Sequence, residues 1–347
     1  MEKIGILTGG GDAPGLNAVI RAVTVKAVRE GYEVIGFKSG WKGMLEQDYR
    51  RLSLEDVEDI HRLGGTILGS SRTNVSKVEN GFELVKQNLA ELNIHALIAV
   101  GGDDTLGVAK KLHEAGGRVV GVPKTVDNDI NATDYTFGFD TAINRVMDAL
   151  DCLHTTTRSH NRVMVVEIMG RDAGWIALHG GMAGGAHVIL IPEVPFDIDE
   201  VCAAVNKRYE DGKEYAIIAV AEGAKNAQLA EKMREYEVLD EFGHIQKSKQ
   251  KVGIAQVLSE IIEERTQRET RHLVLGHLQR GGNPSAFDRV FSTRLGVKAV
   301  EMVMARQFGM MAAMHGGEIV PVPLDEALGE PNTVSTDRYE VARLFFG

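Results

Sequence analysis

Two cysteines, eight prolines and two tryptophans are few for a chain of 347 residues, and aromatics make up only 6% of it. Cys152 and Cys202 show no metal-ligand spacing, which argues against a cysteine-built metal site and leaves reduced, structural thiols as the expectation. Basic charge is also short. Lys and Arg number 39 against 49 Asp and Glu, a formal net charge of −10. General nucleic-acid binding needs a basic footprint and is disfavoured; anionic small substrates are not, because a site is local whereas net charge is global. No apolar run is long enough to span a bilayer, and the N-terminus enters Lys3-Ile4-Gly5-Ile6-Leu7-Thr8 without a signal peptide. A soluble, cytoplasmic protein is expected. Glycine is plentiful, at 39 of 347 residues, and without a collagen-like period this excess belongs to loops. An apolar content of 44% suffices for a large core, in two domains rather than one.

Strand-like and helix-like segments alternate, the pattern of an α/β protein with a mainly parallel sheet. Lys3 to Thr8 reads as a strand, Ala18 to Glu30 as a helix, Tyr32 to Phe37 as a strand and Phe82 to Leu92 as a helix. Ala96 to Val100 and Val119 to Val122 are apolar runs of buried-strand type. A second series begins near residue 139, with strands over Asn161 to Ile168, His187 to Ile191, Tyr215 to Ala221 and Arg271 to Gly276. Helices are expected over Ala173 to Met182 and Val252 to Arg265, and the charged stretch from Lys225 to Lys251 reads as a surface excursion. Two similar halves with ligands at the carboxyl ends of their strands, in a crevice, is the economical architecture.

The strand ends carry the chemistry. Gly9 to Gly15 is a glycine-rich strand–helix turn, where backbone amides and the helix dipole favour an anion, although it has neither Walker nor dinucleotide spacing. A tight turn without ligand is the alternative for that segment. Asp103, Asp104, Asp127 and Asp129 follow two of the buried runs. In an extended segment Asp127 and Asp129 would share one side, a disposition suited to Mg²⁺ or to a base for a hydroxyl nucleophile. Helix capping is the alternative, and the clustering of Asp103, Asp127 and Asp129 at two strand ends weakens it. Arg72 follows the Gly69-Ser70-Ser71 loop, Arg171 and Arg280 adjoin glycines, and a guanidinium fork suits phosphate oxygens. His61, His95 and His113 read as ordinary polar residues, and Trp41 and Trp175 as packing residues.

Taken together, Gly9 to Asn17, Gly101 to Thr105, Thr125 to Asp129, Met169-Gly170-Arg171, Glu222-Gly223 and Gly276 to Gly282 resemble the bacterial 6-phosphofructokinases over nearly the whole chain. The resemblance implies two Rossmann-like α/β/α domains with mainly parallel sheets and an active site in the cleft between them. Residues 1–138 with about 279–329 would bind the phosphoryl donor, and 139–278 with about 330–347 the sugar phosphate. It further implies Mg²⁺-dependent phosphoryl transfer to the 1-hydroxyl of fructose 6-phosphate. Asp127 would be the base, with Thr125 near the transferred group, and Asp103 and Asp129 would hold the metal. Gly11, Arg72 and Arg171 would meet the donor and transition state. Met169, Gly170, Arg171, Glu222, His277, Leu278, Gln279 and Arg280 would hold the sugar phosphate. Arg162 and Arg271 would reach its 6-phosphate across a subunit interface, which requires a homo-oligomer, dimer or tetramer.

Two departures refine the expectation. ATP-dependent members carry glycine where this chain has Asp104 and Lys124. A carboxylate ~4 Å from a nucleotide's α-phosphate repels it by about 4 kcal/mol at an effective dielectric of ~20, roughly a thousandfold in affinity. Lys124 adds a cation for pyrophosphate, so the pair resembles the pyrophosphate-dependent branch; a salt bridge between the two with ATP as donor is the alternative. Arg21 and Lys213 fit the family's effector pocket, but Val25, His154 and Asp211 stand where it has cations, which predicts weak or absent allostery. A non-catalytic sugar-phosphate sensor and a lipid or NAD kinase are the readings from other classes. The intact Asp103, Asp127 and Asp129 disfavour the first, and the sugar-phosphate segments the second.

Overall fold

The apolar runs become buried strands in a computed structural model that describes residues 2–234 and 252–347. In chain order, β1 (Lys3–Thr8), α1 (Leu16–Arg29), β2 (Glu33–Phe37), α2 (Trp41–Glu46), β3 (Tyr49–Leu52), α3 (Gly81–Glu91) and β4 (Ile94–Gly101) come first. Next are α4 (Asp103–Glu114), β5 (Val119–Thr125), the short β6 (Phe137–Gly138) and the long α5 (Phe139–Ser159). β7 (Val163–Ile168), α6 (Trp175–Ala183), β8 (Val188–Leu190), α7 (Ile198–Glu210), β9 (Ala216–Ala221), α8 (Ala227–Arg234), α9 (Ile254–Thr266) and β10 (Thr270–Val274) make the second series. α10 (Ala286–Met304), β11 (Met310–His315), β12 (Glu318–Pro323), α11 (Leu324–Ala327) and α12 (Thr336–Arg343) close the chain. Two compact units result: Met1–Thr141 with Arg280–Asn332, and Ala142–Gln279 with Thr333–Gly347.

The sheet of the first unit runs β12-β11-β5-β4-β1-β2-β3, with β6 beside β5. Its centre is parallel and its two edges, β12 and β3, are antiparallel. β5 is buried along its whole length and β4 from Ala96 onward, as strands covered on both faces must be. α1 begins at Leu16, two residues before the expected start, because Gly15 (φ 113) forms its N-cap. That helix lies tightly on α10: a Cβ on Gly296 would stand 2.8 Å from Ala22 Cβ, so only glycine allows the approach.

The second unit is a four-stranded sheet in the order β10-β7-β9-β8, parallel throughout. Its first strand starts at Val163 rather than Asn161, whose φ of 51 ends the preceding turn in the left-handed region. Val163, Val165, Ile218, Val220, Leu258 and Ile262 meet in its core. Of the expected surface excursion, α8 takes the part up to Arg234, and residues 235–251 lie outside the described residues. Among the described residues no helix is long and apolar enough to cross a membrane.

Candidate active site

The order β5-β4-β1 brings three carboxyl ends side by side, with Thr8 opposite Val100 and Gly101 opposite Pro123. Gly9 N donates to Val100 O at 2.9 Å, which presses the loop after β1 onto the first turn of α4. A Cβ on Gly9 would come 2.5 Å from Thr105 Oγ1, and one on Gly101 2.3 Å from Thr105 Cβ. Gly10 has φ 78 and donates to Ser71 O at 3.0 Å, while Ser70 Oγ donates to its carbonyl. Lys124, only 3% exposed, sends its ammonium to this loop, with Nζ 3.4 Å from the point where a Cβ on Gly10 would stand. Asp103 and Asp104 are exposed in the first turn of α4, where the helix dipole favours acidic groups. Asp104 lines a cavity of about 150 Å³ together with Gly10, Ser71, Arg72, Lys77 and Thr105.

Asp127 follows the end of β5 and is 2% exposed, its amide donating to Thr125 Oγ1 at 3.1 Å. The next residue breaks the expected extended geometry. Asn128 has φ 55, and its Oδ1 accepts from Thr136 N at 2.8 Å and Thr136 Oγ1 at 3.2 Å. Asn332 then closes the turn by donating to Asn128 O at 3.0 Å and to Asp129 O at 2.9 Å. The expectation that Asp127 and Asp129 share one side of an extended segment is therefore corrected: the chain turns between them, burying Asp127 and leaving Asp129 half-buried. Arg280, expected with the sugar-phosphate residues, joins this group. Its Nη1 donates to Asp12 O at 3.2 Å beside Gly11, and its Nη2 is 3.9 Å from Asp127 Oδ2. Among the described residues no three His, Cys, Asp or Glu side chains gather closely enough to form a metal cage.

The remaining expected residues lie in the second unit. Arg162 and Arg271 meet on one carboxylate, at 2.9 Å and 2.6 Å from Glu269 Oε1. The hydrogen bond from Arg162, with the charge of both guanidiniums, holds the Glu269 carboxyl below its usual range. Met169, Gly170 and Arg171 form a turn closed by Ala173 N donating to Gly170 O at 2.9 Å. Glu222 Oε1 accepts from Gly170 N at 3.3 Å and from Arg171 N at 2.9 Å. His277 and Leu278 are exposed. Gln279 is fully buried: its Oε1 accepts from Met169 N at 3.2 Å and its Nε2 donates to Gly276 O at 3.2 Å. Its side-chain amide thus supports the Met169 turn. Of the positions named for effectors, Arg21 donates to Glu58 O at 3.0 Å and His154 meets Gly184 O at 2.8 Å and Tyr215 Oη at 3.3 Å. Lys213 borders a cavity of about 630 Å³ with Arg158, Arg208 and Tyr215.

The family profile described as phosphofructokinase matches residues 3–303. The chain belongs to the phosphofructokinase family. This family member is 56% identical over 347 residues to the pyrophosphate–fructose 6-phosphate 1-phosphotransferase of Amycolatopsis methanolica, covering 99% of this chain and 100% of that protein. It is 50% identical over 349 residues to the ATP-dependent 6-phosphofructokinase of Corynebacterium efficiens, covering 99% of each. The solved phosphofructokinase of Pichia pastoris has the same fold, with a TM-score of 0.82 at 30% identity over 99% of this chain; the chain spans 36% of that longer protein.

Four side chains of this phosphofructokinase escaped sequence reasoning. Thr105 fills the space that Gly9 and Gly101 leave, and Ser70 ties the Gly10 carbonyl. Asn128 makes the turn beside Asp127, and Glu193 accepts from Gly174 N beyond Arg171. Only Asn128 gave a signal, since asparagine between two aspartates tolerates the left-handed region better than most residues.

Proposed function

We propose that the chain catalyses reversible phosphoryl transfer from pyrophosphate to the 1-hydroxyl of D-fructose 6-phosphate, a glycolytic step giving the 1,6-bisphosphate and phosphate. The observation that carries this reading is the buried Lys124 ammonium at Gly10, with Asp104 on the adjoining cavity wall. A buried ammonium attracts a nearby anion more strongly than an exposed one does, and a doubly anionic donor end beside Gly10 would meet that charge. Asp104 disfavours a further phosphate in the same direction, and the relative named for pyrophosphate supports the choice.

In this reading Asp127 removes the proton of the attacking 1-hydroxyl, and Thr125, whose Oγ1 holds the Asp127 amide, orients that loop. Arg280 sets positive charge beside the base. Arg72 and Arg171 neutralise charge on the transferring group, while Arg162 and Arg271 receive the 6-phosphate from a partner subunit of a homo-oligomer. Glu222, by holding Gly170 and Arg171 amides, shapes the sugar-phosphate turn. Asp103 and Asp129 fit Mg²⁺, which is held by one or two carboxylates plus phosphate oxygens and waters and needs no preformed cage. When bound, the ion would screen the donor's charge. Effector control is weak in this reading, because Val25, His154 and Asp211 stand where the family has cations.

A second reading, ATP as donor, is favoured by the full-length relative named for ATP at 50% identity. Purified protein assayed with Mg²⁺, fructose 6-phosphate and each donor separates the two. Bisphosphate formation from pyrophosphate is expected; robust turnover with ATP and none with pyrophosphate would overturn the proposal, and no turnover with either would leave the sugar-phosphate sensor.

A further inference from the structure

Arg171 is held in a conformation that its side chain does not favour. It has φ 53 and follows Gly170 at φ 151, so two successive residues of the turn lie in or near the left-handed half of backbone space. A bulky residue persists there only where its surroundings over-determine it, and such sites concentrate where function needs a fixed group. On its amino side the turn is fixed by Gln279, which takes the Met169 amide, and by Glu222, which takes those of Gly170 and Arg171. Gly223 closes the top: a Cβ there would come 2.0 Å from Arg171 O.

On the carboxyl side Ala173 N donates to Gly170 O at 2.9 Å, and the following amide is held by a side chain. Gly174, the N-cap of α6, has no side-chain cap of its own, and its amide donates to both oxygens of Glu193, at 2.9 Å to Oε1 and 3.1 Å to Oε2. Glu193 Oε1 also accepts from Val334 N at 2.9 Å, so one carboxylate joins the end of the Arg171 turn to the C-terminal segment of the same unit. Gly174 cannot be larger, because a Cβ would stand 2.5 Å from Ile191 Cβ and 2.7 Å from Glu193 Oε2. A carboxylate at the amino end of a helix is also favoured by its dipole.

We propose that Glu193 is a positioning residue for Arg171: by anchoring Gly174 N and Val334 N on one carboxylate, it keeps the turn in the conformation that presents Arg171 to the transferring phosphoryl group. The proposal rests on the reading that Arg171 serves phosphoryl transfer. Without the anchor, Gly174 N loses its acceptor, and the turn relaxes toward ordinary φ values that point Arg171 elsewhere.

The test is a double-mutant cycle with pyrophosphate as donor. Glu193→Ala should lower kcat and kcat/KM together by about 10- to 100-fold, the range produced by misplacing a catalytic group by about an ångström. Glu193→Gln keeps an oxygen for both amides and should stay within about 3-fold of wild type. In an Arg171→Ala background, Glu193→Ala should add less than about 2-fold, because the group it positions is gone. Additive losses, an unchanged kcat in Glu193→Ala, or an equal loss in Glu193→Gln would each overturn the proposal. Trp175, adjacent to Gly174 and 5% exposed, supplies a readout apart from turnover. Its emission should shift in Glu193→Ala and not in Glu193→Gln; an unshifted Glu193→Ala spectrum counts against the anchor. If wild-type protein used no donor, the functional reading would fail while the emission comparison still judged the anchor.

Discussion

Replacing Asp104 with glycine should open the donor site to ATP, and the size of the effect follows from where Asp104 sits. Its carboxylate is exposed in the first turn of α4 and lines the cavity of about 150 Å³ that Gly10, Arg72 and Lys77 also border. For a phosphate ~4 Å away, repulsion is about 1 kcal/mol at the dielectric of water and about 4 kcal/mol at an effective value of 20. Exposure sets Asp104 between these limits. A penalty of ~2 kcal/mol, roughly 30-fold in affinity, replaces the thousandfold that a dielectric of 20 alone gives. The fold should survive: an acidic residue in a first turn stabilises a helix by ~0.3–1 kcal/mol, so the loss with glycine is about 1 kcal/mol. The assay is bisphosphate formation by wild type, Asp104→Gly and Asp104→Asn with each donor at saturating fructose 6-phosphate. Asp104→Gly should lower the KM for ATP at least tenfold, and Asp104→Asn, which keeps the volume but not the charge, should give most of that gain. Equal ATP kinetics in wild type and both variants would refute the electrostatic argument; a gain in Asp104→Gly alone would reassign it to bulk.

Lys124→Met should cut kcat with pyrophosphate by about 10²- to 10³-fold, the scale of losing one preorganised donor at developing charge, with little change in melting temperature. Stopped turnover accompanied by unfolding would count against that role. Gly9→Ala should destabilise the protein by about 1–3 kcal/mol in denaturant unfolding, because its Cβ would meet Thr105 Oγ1 at 2.5 Å, and Thr105→Ala should restore much of it. His187 gives a pH dependence: burial, with the neighbouring charge of Arg208, pushes it down to about 3, and its Nδ1 accepts from Ile217 N at 2.8 Å. The unfolded chain binds the proton that the folded one refuses, so this contribution is intact above about pH 6.5 and lost below it. Stability should fall by up to about 1.4 kcal/mol per pH unit, near 2 kcal/mol by pH 5, and His187→Gln should flatten that slope.

The sequence showed the central strands and the loops after them because both are written in local composition. Ile98-Ala99-Val100 before Gly101-Gly102-Asp103 needs no tertiary knowledge to read as a buried strand running into a ligand loop. The hairpin of β11 and β12 was not legible, since Met310 to Met314 is equally suited to a helix and is made a strand by pairing with β5. Residues far apart in sequence posed the same difficulty. Arg280 reaches Asp127 and Asp12 because α10 packs on α1 and returns the chain to the first unit, and Glu193 reaches Gly174 from beyond β8. The bend at Asn128 was misread for another reason: spacing alone implies an extended segment, whereas hydrogen bonds from Thr136 and Asn332 hold a left-handed residue there.

Donor choice is the property that similarity over the whole chain resolves least. Relatives 56% and 50% identical across the full length carry names that specify different donors. The fold offers a local route to such a difference. Asp104 and Lys124 occupy the ends of adjacent strands, one in the first turn after β4 and the other at the penultimate position of β5. Exchanging both alters the space and charge around Gly10 while leaving Asp103, Asp127 and the Asn128 turn on their own backbone supports. Neither side chain is needed to pair the strands, whose ladder is formed by backbone groups. In the proposed reading, these two positions separate the recognition of the donor from the chemistry performed on it. In that reading the donor is decided by these two positions at the Gly10 cavity, and the difference between 56% and 50% overall identity to the two relatives carries little weight.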